Sequence, residues 1–196
     1  MRTLQQPLFT PETEWVPPDR LPDLSSYSEI AIDLETRDPN LLTMGSGSVR
    51  REGEVVGIAV AVEGWSGYFP IAHESGGNMD RALVLDWFEE LLQTTATKIF
   101  HNAMYDVSWI RAMGIKINGR IIDTMIAASL VDENRWGFTL DGVAKQYVGS
   151  GKNEKMLVEA AKAWGIDPKA EMWRLPAPFV GTYAEKDAEV TLKLWV

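Results

Sequence analysis

Two acidic residues in the segment 30–36 constrain the fold more than any other feature of the chain. The segment reads Ile-Ala-Ile-Asp-Leu-Glu-Thr, which predicts a buried β-strand with Asp33 and Glu35 near its end. Side chains alternate across a strand, so these two acids share one face while Leu34 points to the other. Two carboxylates on one face repel each other unless a cation lies between them. The alternative is an ordinary strand whose end reaches solvent, and the acid-x-acid pair alone does not exclude it.

The amino-acid composition narrows the chemistry. The 196-residue chain has no cysteine, which excludes disulfides and thiolate metal sites, and His73 and His101 are its only histidines. Any metal must be held by oxygen or by these two, and oxygen ligands favour Mg²⁺ or Mn²⁺ over Zn²⁺. Apolar content of 45% fits one globular domain. The sequence has no apolar segment long enough to cross a membrane and no signal peptide, so we expect a soluble cytoplasmic protein.

The net charge of −9 argues against a conventional basic nucleic-acid-binding protein. The acidity is explained in part if some of the carboxylates form a metal site. A small enzyme that holds only a few nucleotides can rely on metals, base stacking and local basic loops.

The first 28 residues are predicted to form an arm separate from the main domain. They contain five of the ten prolines, which interrupt helices and strand pairing. The apolar residues Phe9, Trp15 and Leu21 suggest that part of the arm packs on the body, and a disordered tail is the alternative.

The remainder alternates between strand and helix patterns, which predicts an α/β protein. Residues 55–63 and 67–72 are predicted to form a hairpin, and residues 37–53 and 167–179 loops. Asn78 or Asp80 is predicted to cap a helix that runs to Gln93, with Leu83, Trp87 and Leu91 in the core.

A second acidic site follows the short strand predicted at residues 98–100. The segment 100–106 reads Phe-His-Asn-Ala-Met-Tyr-Asp, and a helix is predicted from Ala103 to Gly114. Asp106 then lies on an otherwise apolar helix face, where a charge needs a partner. The alternative is an aspartate that stabilises the helix dipole. Asp123 is predicted to cap the next helix rather than to bind a ligand.

The last helix carries the third set of functional candidates. Thr182 and Glu185 have the spacing of a capping box, and a start nearer Pro178 is the alternative. Tyr183 and Asp187 are four residues apart, so both project from one helix face.

Together these three segments resemble the exonuclease motifs of the DEDD superfamily, in particular those of the proofreading 3′→5′ exonuclease domain of family A DNA polymerases. The resemblance runs from about Glu29 to the end of the chain and implies an RNase H-like fold over residues 29–196, with a mixed central sheet flanked by helices. The matching residues, in motif order, are Asp33 and Glu35, Asn102 and Asp106, and Tyr183 and Asp187.

The resemblance implies a site for two divalent ions, Mg²⁺ or Mn²⁺. Asp33 would contact both ions, Glu35 and Asp187 would complete the first, and Asp106 would hold the second. Tyr183 would orient the attacking water, because a phenol with a pKa near 10 is a poor base at neutral pH.

Contacts with nucleic acid are also implied. His101 and Asn102 would touch the 3′-terminal nucleotides, and Leu41 or Leu42 would wedge against the terminal bases. Arg50 is a candidate for phosphate contact, with a solvated charged loop as the alternative.

The predicted function is a metal-dependent 3′→5′ exonuclease acting on single-stranded or frayed DNA, as the proofreading part of a polymerase. The alternatives are a free-standing DEDD exonuclease acting on RNA and a structural domain without strong catalysis. The final helix carries no end signal, so we expect a polymerase domain to follow it. The short arm resembles phage-type members, which would place the protein in the host cytoplasm. The sequence implies no oligomer.

Overall fold

The protein is built on a five-stranded mixed β-sheet with helices on both faces. The computed structural model describes residues 7–149, 151 and 153–196, so residues 1–6 of the predicted arm lie outside the described residues. The strands of the described chain are β1 (Glu29–Arg37), β2 (Glu54–Val62), β3 (Trp65–Pro70), β4 (Thr97–Phe100) and β5 (Ile121–Asp123). The helices are α1 (Leu41–Met44), α2 (Gly47–Arg50), α3 (Arg81–Gln93), α4 (Ala103–Ala112), α5 (Thr124–Val131), α6 (Leu140–Tyr147), α7 (Lys155–Trp164) and α8 (Gly181–Lys193). Within this described part, no helix has the length and apolar character needed to span a lipid bilayer.

The strand order is β3-β2-β1-β4-β5, with β1 at the centre. β2 is antiparallel to both β1 and β3, whereas β4 runs parallel to β1 and to β5. The predicted hairpin is confirmed as β2 and β3, and Gly64 in its turn has a φ of 78°, which suits glycine. The predicted fold class, a mixed sheet flanked by helices, is therefore confirmed.

The two faces of the sheet bury different residues of β1. Ile30, Ile32 and Leu34 join a core with α3 and α4 on one face. The alternate residues of β1 face the opposite layer, where α7 and α8 cover the sheet. The sheet is therefore the middle of three layers, and the face that carries Asp33 and Glu35 is the face covered by α8.

Helix α3 departs from the prediction in the residues it buries. Asp80 caps the helix as predicted, since its carboxylate accepts the Leu83 backbone N–H at 3.1 Å. Leu83 is 61% exposed, so its predicted place in the core is wrong. The helix turns Val84 and Phe88 inward instead, and Leu91 is buried with them as predicted.

The segment between β1 and β2 is more ordered than the predicted loop. It contains the one-turn helices α1 and α2, and Ser46 caps α2 by accepting the Ser48 N–H at 3.3 Å. The Gly47 N–H donates to the Asp38 carboxylate at 2.9 Å. The predicted loop 167–179 likewise contains two short 3₁₀ turns, at Met172–Arg174 and Ala177–Phe179.

The described part of the N-terminal arm packs on α8 through Trp15. Its indole lies over Gly181, where a Cβ atom would come within 2.0 Å of the ring. Leu21 also packs on the body, half-buried against the core, as predicted. Phe9 is 88% exposed, so its predicted packing is wrong. Trp15 rather than Phe9 attaches the arm to α8, because Gly181 opposite the indole leaves room for the whole ring.

Candidate active site

Strand β1 places Asp33 and Glu35 on the face that α8 covers. The side chains of Ile32 and Leu34 point to the opposite face. Both acids lie close enough to Tyr183 on α8 that their charges raise its pKa. Glu35 is buried and Asp33 is half-buried. The alternation of side chains along the strand therefore brings the two carboxylates under α8.

Helix α8 approaches the sheet closely because both surfaces carry small residues. The small buried residues in this contact are Ala31, Ala59 and Ala61 on the sheet and Ala184 and Ala188 on the helix. Tyr183 and Asp187 stand one helical turn apart on the same helix and are only 6% and 2% exposed. The close packing thus buries a phenol and a carboxylate beside the two acids of β1.

The predicted capping box at the start of α8 is wrong. The helix begins at Gly181 with Val180 at its N-cap, and the described structure shows no side-chain cap there. Glu185 instead accepts the indole N–H of Trp15 at 2.9 Å and the backbone N–H of Tyr68 at 3.2 Å. The Glu185 carboxylate therefore binds Trp15 and Tyr68, which are distant in sequence, and does not cap the start of its own helix.

Asp106 reaches the site from the opposite layer. It lies in the first turn of α4, and its carboxylate accepts the backbone N–H of Leu34 at 3.0 Å. β4 pairs with β1 only as far as Ala31, so the edge of β1 beyond that point is open to a side chain. Burial raises the pKa of Asp106 well above its ordinary value, and the charge of Asp33 raises it further. Asp106 therefore has a specific partner at the strand edge rather than a helix-dipole role alone.

Tyr183 is held in its neutral form. Burial raises the pKa of its hydroxyl well above the ordinary value, and the charges of Glu35, Asp187 and Asp33 raise it further. A hydrogen bond with Asp187 acts in the same direction. A phenol in this environment donates a hydrogen bond and does not act as a base near neutral pH.

A cleft of about 490 Å³ opens above these residues. The residues that line it are Asp33, Leu34, Glu35, His101, Asn102, Met125, Phe138, Thr139, Leu140, Tyr183 and Asp187. The structure thus brings residues of all three sequence motifs to one cavity. Phe138, Thr139 and Leu140 form a wall that the sequence analysis missed, because nothing in the local pattern links the start of α6 to β1.

His101 and Asn102 lie in the turn between β4 and α4. The two ring nitrogens of His101 pair with the Thr124 hydroxyl and the Phe138 carbonyl, both at 2.8 Å. Asn102 is exposed and has a φ of 71°, in the left-handed region that asparagine tolerates better than most residues. In the structure, His101 connects the start of α5 to the segment before α6. Contact of either residue with a nucleotide stays a prediction.

Asp123 organises this turn through contacts that the sequence analysis did not foresee. It caps α5 as predicted, accepting the Met125 N–H at 2.9 Å. Its carboxylate also accepts the backbone N–H groups of Asn102 at 3.0 Å and Ala103 at 2.8 Å. One aspartate therefore holds the starts of two helices, and it fixes the turn that leads to Asp106.

Leu41 and Arg50 lie beyond the residues described as lining the cleft. Leu41 is 38% exposed on α1, and its contact with terminal bases stays a prediction. The Arg50 guanidinium lies 3.7 Å from Asp38 and 3.2 Å from Glu52, and it donates to the Gly45 carbonyl. Its charge is thus matched within the protein, and its contact with phosphate stays a prediction.

The donor set suits hard divalent cations. Glu35, Asp106 and Asp187 are buried carboxylates, and with Asp33 they offer only oxygen ligands, which Mg²⁺ and Mn²⁺ prefer. Among the described residues, no three acidic or histidine side chains converge into a preformed metal site. Like charges repel in the absence of cations, and Asp106 is held by the Leu34 N–H. The residue types of this set fit such ions.

Comparisons with known proteins agree with this geometry. A family model described as "3′-5′ exonuclease", for the exonuclease domain of A-type DNA polymerases, matches residues 12–196. The match covers the two acids of β1, the turn before α4 and all of α8.

Curated proteins that are similar to this chain include phage polymerases. The "DNA-directed DNA polymerase" of Pseudomonas phage M6 is 39% identical over 202 aligned positions, which cover 99% of this chain and 30% of that protein. "DNA polymerase DpoZ" of Salmonella phage PMBT28 is 29% identical, with 89% of this chain and 27% of that protein covered. The chain therefore spans less than a third of the length of these relatives.

A solved structure has the same fold at lower sequence identity. "Brucella melitensis NrnC with bound Mg2+" aligns with a TM-score of 0.59 and 20% identity, covering 92% of this chain and 75% of that one. The RNase H-like exonuclease architecture thus extends to chains that share only a fifth of their residues with this one.

Proposed function

The chain belongs to the 3′–5′ exonuclease family, and on this premise we propose that it removes nucleotides from the 3′ end of single-stranded or frayed DNA. The observation that carries the proposal is the placement of Tyr183 and Asp187 beside Asp33 and Glu35, with Asp106 at the open edge of β1. We further propose that it is the proofreading part of a DNA polymerase whose polymerase domain follows this chain. The phage polymerase relatives support that part, and they support a site of action in the host cytoplasm.

The carboxylates would hold two divalent ions, Mg²⁺ or Mn²⁺. We assign Asp33 to both ions, Glu35 and Asp187 to the first and Asp106 to the second. When bound, such ions supply the positive charge that makes a hydroxide available at neutral pH and stabilises the leaving 3′ oxygen.

Tyr183 acts beside these ligands as a neutral hydrogen-bond donor. Its raised pKa keeps the proton on the phenol, and its bond with Asp187 fixes the direction of the hydroxyl. With that proton donated to Asp187, the hydroxyl oxygen can accept a hydrogen bond from a water molecule and orient it for in-line attack, but the neutral phenol cannot remove the proton from that water.

Single-strand selectivity follows from the shape of the site. Asp33, Glu35 and Asp187 line a cleft that is also lined by Phe138 and Thr139. A terminal nucleotide must leave its duplex partner to reach them, and unpairing costs a few kcal/mol. Single strands and frayed ends should therefore be cut faster than paired ends.

The test is digestion of 5′-labelled single-stranded DNA and RNA of one sequence, with Mg²⁺ or Mn²⁺ and with EDTA. Stepwise shortening of the DNA from its 3′ end is expected, and EDTA should stop it. Asp187→Ala should be inactive, while Asp86→Ala, which removes an exposed acid on α3, should keep full activity.

Two outcomes would overturn the proposal. Degradation that persists in Asp187→Ala would mean that the activity comes from elsewhere. Faster digestion of RNA than DNA would favour the second candidate, a free-standing exonuclease of RNA, since the two differ in how the 2′ position of the sugar is treated.

A further inference from the structure

Trp136 stands out among the tryptophans of this protein. All eight lie in the described part of the chain, and the other seven are buried or half-buried. Trp136 is 99% exposed, in the segment between α5 and α6. Burial of a large aromatic ring stabilises a protein, so a ring left in water is unusual unless something covers it during function.

Trp136 lies two residues before the part of the chain that lines the catalytic cleft. Phe138, two residues further along, lines the cleft, and its carbonyl pairs with the His101 ring at 2.8 Å. Two residues span at most roughly 7 Å, so Trp136 cannot be far from the wall of the cavity. We take a strand whose 3′ end enters the cleft to pass within reach of this side chain.

The turn that presents Trp136 is braced on both sides. Arg135 donates through Nε to the Gly137 carbonyl at 2.9 Å and through its guanidinium to the Gln146 side chain. Before it, the Asn134 N–H donates to the Asp132 carboxylate at 3.2 Å. Gly137 has a φ of 79°, which permits the sharp turn. The backbone that carries the ring is thus braced before any ligand arrives, which lowers the entropic cost of ordering this turn on binding.

The charge around the cleft explains why a stacking side chain would be needed. The residues lining it include Asp33, Glu35 and Asp187 and no lysine or arginine. An anionic backbone gains little from such a wall, whereas the π-face of a base can stack on an aromatic ring whatever its sequence. We propose that Trp136 is a stacking site for an unpaired base of the substrate, adjacent to the nucleotide that enters the cleft. This inference depends on the proposed function, because it takes the ligand to be a single strand.

The first experiment separates stacking from chemistry. The variants are Trp136→Ala, Trp136→Phe and the control Leu130→Ala, which removes an 82% exposed apolar side chain on α5. Substrates are a single-stranded 12-mer and the p-nitrophenyl ester of thymidine 5′-phosphate, which has no neighbouring base. Trp136→Ala should raise KM for the 12-mer about 5- to 100-fold with little change in kcat. Trp136→Phe should retain most of the affinity, and no variant should alter turnover of the ester.

The second experiment places the contact along the strand. A single abasic nucleotide is moved through the 12-mer, and KM is measured for the wild type and Trp136→Ala. At one or two neighbouring positions, the abasic substitution should weaken wild-type binding but leave the variant unchanged, because the ring and the base act as a pair.

The outcomes are distinguishable. Additive effects of the variant and the abasic nucleotide at every position would overturn the stacking proposal, as would an unchanged KM for the 12-mer. A change in oligomeric state in Trp136→Ala, without any effect on DNA, would mean that the ring covers a protein surface and would also overturn it. Failure of the wild type to cut either substrate would instead remove the proposed function.

Discussion

At the scale of single residues, Tyr183 shows how burial decides the role of a side chain. The phenol is 6% exposed and surrounded by Glu35, Asp187 and Asp33, so its pKa is raised and it stays protonated. We expect Tyr183→Phe to lower kcat about 10- to 1000-fold, or roughly 1.4–4 kcal/mol of barrier, because it removes a water-orienting hydroxyl and no carboxylate. Single-turnover digestion measures the loss.

Calorimetry with Mn²⁺ provides the control for this variant. Tyr183→Phe should bind the metal like the wild type, whereas Asp187→Ala should bind it more weakly. The pH–rate profiles of the wild type and Tyr183→Phe should have the same shape from about pH 6 to pH 9, since the phenol does not ionise in that range. Loss of metal binding in Tyr183→Phe would contradict the role given to its hydroxyl.

His73 is a second residue whose burial has a measurable consequence. Its ring is 3% exposed, and its nitrogens pair with the Tyr68 hydroxyl at 2.6 Å and the Leu175 carbonyl at 3.0 Å. Burial lowers the pKa of His73 from 6.5 to about 4. Because the pKa of His73 is lower in the folded protein than in the unfolded chain, the unfolded chain takes up a proton first as the pH falls. The fold is therefore most stable above pH 6.5, and it loses stability as the pH falls from 6.5 towards 4.

We therefore predict a difference in acid sensitivity between the wild type and His73→Gln. When the pH is lowered from about 7 to about 5, the free energy of unfolding should fall by about 2 kcal/mol more in the wild type than in His73→Gln, because glutamine does not take up a proton. Urea unfolding at both pH values measures the free energy of unfolding of the wild type and of His73→Gln. Glu185→Gln, which changes a different residue, is measured in the same way for comparison. Equal losses in the wild type and His73→Gln would show that His73 is not buried in its neutral form.

At the scale of elements, most of the helices and strands could be predicted, and the errors have physical causes. The alternation in β1 and the helical spacing of Tyr183 and Asp187 are local patterns, and both are found in the structure. The capping box at Thr182 failed because Glu185 pairs with Trp15, which is 170 residues away in sequence. Periodicity carries no information about such long-range partners.

The segment between β1 and β2 gives a second case of long-range order. The Asp38 carboxylate accepts the Gly47 N–H at 2.9 Å and the Tyr105 hydroxyl at 3.3 Å, and it lies 3.7 Å from Arg50. Its side chain is only 2% exposed. One buried carboxylate thus connects α2 and its flanking turns to α4, the helix that carries Asp106.

We predict that Asp38→Ala loosens this segment. Removing the carboxylate leaves the buried Gly47 N–H without its acceptor, at a cost of about 1–3 kcal/mol, whereas the Tyr105 hydroxyl keeps its partner Thr36 at 2.7 Å. Limited proteolysis should show faster cleavage within residues 38–53, and urea unfolding should show the lower stability. Glu52→Ala is the matched control, because Glu52 pairs with the same Arg50 from a position 48% exposed. Equal protease resistance in Asp38→Ala and the control would contradict this role.

At the scale of the whole molecule, distant parts of the chain meet on α8. Trp15 of the arm and the Tyr68 backbone both donate to Glu185, while Tyr183 and Asp187 of the same helix face the acids of β1. The arm is therefore part of the support of the active site. Its prolines indicated an extended segment, but only the structure shows that Gly181 receives the indole ring.

The charge of the whole molecule bears on how it can hold DNA. The chain carries a formal net charge of −9, and the cleft is lined by acids. Arg50 and Arg174 are each matched by two carboxylates, and Lys186 by Glu189. The described residues that line the cleft include no lysine or arginine, so binding there must depend on metal ions and stacking.

The last prediction follows from this shortage of available cations. For single strands, the logarithm of the binding constant falls with the logarithm of salt concentration by about 0.7 for each phosphate contact. We expect the 196-residue chain to make no more than about three such contacts, and so to bind single-stranded DNA weakly with a slope between zero and about −2. Fluorescence anisotropy of a labelled 12-mer in Ca²⁺, titrated with KCl, measures the slope. Asp187→Ala should weaken binding but should not make the dependence on salt steeper. A slope of about −4 or steeper would show a basic binding surface that the charge distribution does not account for.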